Sequence, residues 1–426
     1  MNGVGRALVS VLLLATVGCS DSYEPPETDT VEIFSWWTSG GEVQALDAVL
    51  ELHKQTHPNT NILNIAQEGG GQNAQERLEQ RIRDDYPPEI FQSNFGHGSL
   101  RNWLEFNGAD KPSIQPLNSL FEEQGWTATY SDLLRDSVSI DGQIYAVPVN
   151  VHRTNSLFYN KAVFDEIGMD PPTTLEEFYA VGDALLALDP PIVPLAIGSE
   201  GAWTVNLLMM ENLLVAMAGP DFYMSYFSGQ ETPDHPNMVA MLEEMLVIWD
   251  GYVNEDANML QWDAAVQMVA DGDAAMTIMG DWAKGYLLNK GLVPGEDFGQ
   301  VPSFGSDGAF VFTGDCFPMA VAAENVSGGM ELLKTFGSKE AQDLFNPLKG
   351  SIPARIDADL STYDDLARAN YDAFSDPAVM RIPSLSALIP SEVGSALVNA
   401  IPAMLDSGDP ASMLEALAEN YDVLGQ

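Results

Sequence analysis

Basic residues are scarce: the 426-residue chain holds 18 Lys+Arg against 62 Asp+Glu, a formal net charge of −44. A surface of that sign repels nucleic acid and anionic membranes, and no basic stripe offsets it. The acidic shell reads as one suited to salty surroundings, where screening weakens self-repulsion. Cysteine is nearly absent. If Cys19 is lipidated or removed, Cys316 has no intramolecular partner, and hydrophobic cores must hold the fold. No segment beyond the N-terminal signal has about 18 uninterrupted apolar residues, so no spanning helix is expected there. Catalytic and metal signatures are missing too. The chain has no GxSxG elbow, no HExxH and no CxxC, and no Gly-Lys-Ser/Thr follows Gly69-Gly70-Gly71, which reads as a tight turn. Asp271-Gly272-Asp273 lacks EF-hand spacing. His53 and His57 are four apart but read as surface histidines, so no metal and no cofactor are expected. A carboxylate pair for glycoside hydrolysis is not excluded, because no motif selects one pair among 62 acids.

What is present begins with an export signal over 1–19. Arg6 supplies the positive charge and Ala7 to Val17 an apolar stretch too short to span a bilayer. Thr16-Val17-Gly18-Cys19 resembles a lipobox, which implies lipidation at Cys19; ordinary cleavage nearby, leaving a free protein, is the other reading. Residues 20–30 (SDSYEPPETDT) are acidic and Pro-containing and read as a tether.

The body has an apolar fraction of 46% and length for two domains. Val31 to Trp37 reads as a strand broken by Ser39-Gly40-Gly41, Glu42 to His57 as a helix ended by Pro58, and Thr60 to Ile65 as a second strand. Asn73 to Asp85 reads as an amphipathic helix, and Ile90-Phe91-Gln92 begins a third strand. This alternation predicts a parallel sheet with crossover helices, whose ligands sit beyond the carboxyl ends of the strands. Later landmarks are the apolar run Ile144 to Val151, a capping box at Thr174–Glu177, a long helix around Trp203 to Met217, and a strand over Ala274 to Met279 followed by the turn Gly280-Asp281-Trp282. Adjacent strand residues face opposite ways, so at least one of Trp36 and Trp37 should face a cleft or solvent. Trp282, at its turn, is a second candidate. Flat aromatic rings beside charged or amide groups suit a sugar, which offers an apolar C–H face and a polar rim.

Several segments then carry a resemblance over essentially all of the chain after residue 30: EIFSWWTSGGE (32–42), PPEIFQ (87–92), YAVPVNVHRTN (145–155), PPTTLEEF (171–178), MGDWAKGY (279–286) and GSKEAQDLFNPLKGSIPAR (337–355). They resemble the extracellular solute-binding proteins of carbohydrate ABC importers, in particular the glucose/galactose-binding branch. The resemblance implies an α/β, two-lobed periplasmic-binding-protein fold of type II, like maltose-binding protein, with three hinge crossovers. The first lobe would be 31–148 plus 314–350 and the second 149–313 plus 351–426. It implies a sugar shell of Trp36, Trp37, Glu42, Gln92, Asn94, Asn150, His152, Trp262, Asp281, Trp282, Asp315 and Lys349, although Asn150 and His152 could equally tie the hinge. Partners would be the sugar and an inner-membrane permease with a cytoplasmic ATPase. The protein would act as a periplasmic monomer without catalysis; a secreted glycan-acting enzyme and a chemosensory binder are the alternatives. Two departures concern the ligand. Asn94 stands where glucose-binding relatives carry histidine, and a second family histidine is absent near Ser384 to Pro390, where Ser386 or Ala387 takes its place.

Overall fold

The computed structural model describes residues 30–67 and 70–424, with the side chains of 70–73 and 206–208 left aside. The export signal, Cys19 and all of the tether but Thr30 lie outside them.

The strand Thr30–Ser35 runs parallel to Asn61–Ala66 on one side and to Ile90–Phe91 on the other. Helices Gly40–Thr56 and Gly70–Arg83 link them, as strand–helix alternation requires. Two starts differ from the sequence reading. Gly70 and Gly71 are already helical, and so are Gly40 and Gly41, which were expected to break the chain. Gly41 is there for close approach: a Cβ on it would lie 2.4 Å from the Leu348 carbonyl oxygen. His53, expected at the surface, is buried on the same helix. Its ring stacks on His57 at 4.3 Å, and Nδ1 meets the Thr335 hydroxyl at 2.7 Å.

A second sheet has the order Val193–Leu195, Ala274–Ile278, Ser156–Asn160, Phe298–Pro302. The helix Leu175–Leu186 packs nearby, and its Thr174–Glu177 capping box is formed in both directions. The expected long helix near Trp203 to Met217 is a π-helix, Val205–Met210, running into the α-helix Glu211–Ala218.

Between these two bodies lies a bridging sheet in the order Ile352–Pro353, Asn150–Arg153, Ala309–Thr313, Met380–Pro383. Alternation along Ala309–Thr313 serves two cores at once. Phe310 and Phe312 point into one core, with Val31, Phe34 and Phe91; Ala309 and Val311 point into the other, with Leu157, Met276 and Ile382. Residues from 352 to 379 were expected with the second lobe, yet Ile352, Ala354, Tyr371 and Phe374 pack on the first core. Chain re-enters the second core at Ile382 and Leu385.

Glu211 is buried behind the bridging sheet. The Thr154 hydroxyl donates to its Oε1 (2.6 Å) and the Leu385 amide to its Oε2 (3.1 Å). Burial disfavours the carboxylate and pushes its pKa from 4.5 up to about 8, against the pull of those two donors. The folded state therefore holds a proton that the unfolded chain gives up above 4.5, so this contribution is full below 4.5 and is lost as pH rises towards 8. Wild-type stability should fall relative to Glu211→Gln across that interval by about 1.4 kcal/mol per pH unit. Urea midpoints of both proteins at several pH values check it; parallel pH profiles would contradict it.

Candidate functional site

The first-lobe strands stop in register, and the site grows from their carboxyl ends. Trp36 and Trp37 follow Ser35, and Gln92 follows Phe91. The Trp36 amide donates to Gln92 Oε1 (3.0 Å), and Gln92 Nε2 donates to Asp315 Oδ1 (2.6 Å). Asp315 begins the strand Asp315–Pro318, two residues past the bridging strand Ala309–Thr313, so the bridge sets its position. Its other oxygen accepts from Asn150 Nδ2 (2.7 Å) and from His152 Nε2 (3.2 Å), while the Asp315 amide donates to Asn150 Oδ1 (2.7 Å). The His152 Nδ1 donates to Asp281 Oδ1 at 2.5 Å, and Asp281 Oδ2 accepts the Arg153 amide at 3.1 Å.

Lys349 completes the cluster. Its ammonium donates to Glu42 Oε1 (2.8 Å) and lies 5.9 Å and 5.7 Å from the ring centroids of Trp37 and Trp282. Trp282 meets the His152 ring edge-on at 5.2 Å and lies 6.4 Å from Trp203.

Burial by itself would lower the His152 pKa, and Lys349 pushes the same way. Asp281 and Asp315 outweigh both, so the imidazolium persists above the ordinary 6.5. Burial would raise Asp315, but the His152 hydrogen bond and the Lys349 charge hold it below 3.8. Glu42 goes the other way: burial exceeds the pull of Lys349 and raises it. Among the described residues no group of three or more His, Cys, Asp and Glu is placed to hold a metal ion.

Seven of the twelve expected residues thus form one cluster: Glu42, Gln92, Asn150, His152, Asp281, Asp315 and Lys349. Trp282 is half-buried over it, and Trp36, also half-buried, joins through its amide. Trp37 is 1% exposed and packs between Phe317 (5.7 Å) and Phe345 (5.0 Å); its ring belongs to the first core and reaches the cluster through Lys349. Asn94 is half-buried opposite Asp315 in the antiparallel register. Trp262 stands edge-on to Tyr286 (5.9 Å), on the helix that Trp282 starts. Sequence reasoning passed over Trp203, taken as the start of a helix. Gly201-Ala202-Trp203 repeats the Gly-x-Trp spacing of Gly280-Asp281-Trp282, which was the available signal.

The model of the bacterial extracellular solute-binding proteins matches residues 37–343. This chain belongs to that family. It is 32% identical over 391 residues to an ABC transporter extracellular-binding protein of Pyrococcus horikoshii, covering 90% of this chain and 86% of that protein. A protein of Brucella melitensis named "Probable sugar-binding periplasmic protein" is 32% identical over 341 residues, 79% of this chain and 78% of the relative. Among solved structures, a chitin oligosaccharide binding protein superposes with a TM-score of 0.77 at 20% identity, covering 93% of this chain and 98% of its own. The expected two-lobed solute-binding fold is therefore the fold of this family member. Among the described residues no helix is long and apolar enough to cross a membrane.

His152 sits between two buried carboxylates, so His152→Ala should destabilise the protein by about 3–5 kcal/mol, the penalty of stranding buried charge. The signs of the shifts also set a window. The Asp315 contribution is present above 3.8 and lost as pH falls below it, and the His152 contribution is present below 6.5 and lost as pH rises through its higher folded value. Urea unfolding of wild type and variant should differ most between these limits. Equal stabilities there would show that the pairs are dispensable.

Proposed function

We propose that this chain captures a sugar reversibly between its lobes, outside the inner membrane, and delivers it to an ABC permease driven by a cytoplasmic ATPase. No covalent chemistry is part of this reading. The observation that carries it is the buried cluster at the meeting of the two cores, where carboxylates, amides, an imidazolium and an ammonium converge beneath Trp282, which Trp203 flanks. Charge-assisted bonds to hydroxyls are stronger than neutral ones, and an indole face suits the C–H side of a pyranose or furanose ring. The names of the relatives support sugar as the solute class.

The charge tally favours a neutral sugar over a uronate. Glu42, Asp281 and Asp315 face two cations, Lys349 and His152, and each cation already has a carboxylate partner. An anionic ligand would meet net negative charge in a low-dielectric site. A monosaccharide or small oligosaccharide other than glucose fits the departures at Asn94 and Ser386-Ala387, because an unpaired polar group in a site discriminates more strongly than a missing methylene. The reading also takes the protein as a monomer, anchored by lipid on Cys19. The lobes would rotate about crossings near Pro148–Val151, Phe312–Gly314 and, in place of the expected Gly350–Ile352, near Val379–Ile382, where the chain passes from the first core to the second.

A thermal-shift screen against a panel of neutral and acidic sugars tests the solute class, since a ligand of the native state raises Tm. With the sugar so found, Trp282→Ala should lose about 2 kcal/mol of affinity by calorimetry while keeping its fold. If no sugar shifts Tm, or if oligosaccharides are cleaved on incubation, the reading fails.

A further inference from the structure

The helix Trp282–Asn289 carries cluster groups at its start, Asp281 and Trp282, and something else one turn on. Lys284 is completely buried, at 0% exposure, although a lysine in a protein of this charge could find carboxylates almost anywhere on the surface. Its ammonium donates to both oxygens of Asp364, at 3.2 and 3.0 Å. The two residues belong to different bodies. Lys284 lies between Ala283 and Leu287 of the second core. Asp364 hangs from the first, with Leu366 reaching the second core: neighbouring Tyr363 donates its hydroxyl to the Gln342 carbonyl (3.4 Å), and Arg355 donates to the Gly337 carbonyl (2.8 Å). Beyond it, Phe374 packs on Phe310 at 5.1 Å. Asp364 is held in place as well, because its Oδ1 accepts the Ala367 amide (2.8 Å) and caps the helix Asp365–Ser375.

The next residue shows how closely the bodies approach. A Cβ on Gly285 would lie 2.5 Å from the Lys349 carbonyl oxygen and 2.7 Å from that of Leu348. The same helix therefore touches the candidate ligand site with its first turn, presses its backbone on the first lobe with Gly285, and inserts Lys284 towards Asp364.

We propose that Lys284 and Asp364 form an inter-lobe latch, a pair of positioning residues that sets solute retention without touching the solute. This inference rests on the reading of the chain as a binding protein whose lobes close. A lysine buried without its partner carries a large desolvation penalty, and a buried pair recovers it only in the right geometry. Partial closure thus strands the ammonium, and only full register satisfies it, so the latch makes closure all-or-none. Replacing both members by uncharged residues removes the penalty along with the attraction, whereas removing the carboxylate alone leaves the penalty in force.

The test compares wild type, Asp364→Asn and the double variant Lys284→Met/Asp364→Asn, using the full chain. Small-angle scattering without ligand gives a readout that needs no known solute. Asp364→Asn should have a larger radius of gyration than wild type, and the double variant should return to the wild-type value. With a sugar identified by the thermal-shift panel, stopped-flow tryptophan fluorescence should give dissociation from Asp364→Asn about tenfold faster, restored to within about threefold in the double variant. A lowered Tm in Asp364→Asn with unchanged radius and unchanged dissociation rate would reduce the pair to a fold-stabilising contact and overturn the latch. If no sugar binds wild type while the radius still shifts and recovers, the latch stands and the solute class is what fails.

Discussion

Everything in the cleft is arranged around one buried carboxylate. Asp315 accepts from Gln92, at the end of one strand, and from Asn150 and His152, both carried by the crossing strand. An ionised carboxylate in such a place is tolerable only when its lone pairs are filled and a cation is near. Gln92 must therefore stand at the end of its strand, and Asn150 and His152 must point the same way from the crossing strand. His152 in turn needs its second acceptor, which is Asp281 of the other lobe. The need to keep one charge satisfied thus ties the first-lobe sheet, the bridge and the second-lobe helix Trp282–Asn289 into a single polar unit. The same unit offers hydroxyl partners to a solute that exchanges one set of hydrogen bonds for another.

Much of this was legible in the sequence because local signals agreed with the global fold. Strand–helix alternation from Thr30 to Phe91, the Thr174–Glu177 box and the Gly-Asp-Trp turn all describe short-range physics, and each is found where expected. The convergence of Glu42, Gln92, Asn150, His152, Asp281, Asp315 and Lys349 came from family resemblance. No periodicity or spacing could bring together residues as far apart as Glu42 and Lys349, which are 307 positions distant.

Other features were hidden for identifiable reasons. Alternation alone does not say which of two neighbouring tryptophans faces inward, and Trp37 proved to be the core residue. Glycine is ambiguous between a helix breaker and a close-packing residue: Ser39-Gly40-Gly41 reads as a break, whereas the backbone of Leu348 demands close packing at Gly41. His53 reads as a surface residue by type, but a hydroxyl from Thr335 makes burial tolerable. The burial of Lys284 has no local signal either: its partner lies 80 residues on, in a segment expected to belong to the same lobe as Lys284 itself.

The shared strand Ala309–Thr313 bears on how such a chain reaches its native state. Its residues feed two cores, and the first core is assembled from Val31–Val151 together with Phe310–Ala354. Neither half can therefore finish on its own: the first waits for residues made some 160 positions later, while the second waits for the segment from Ile382 to Leu424. The Thr30 carbonyl, for instance, accepts from Asn325 across a separation of 295 residues. Closing loops of that length before their contacts form makes for slow folding and a long-lived, partly ordered chain. A topology that makes the two lobes mutually dependent in the native state also keeps the polypeptide unfinished until almost all of it is available.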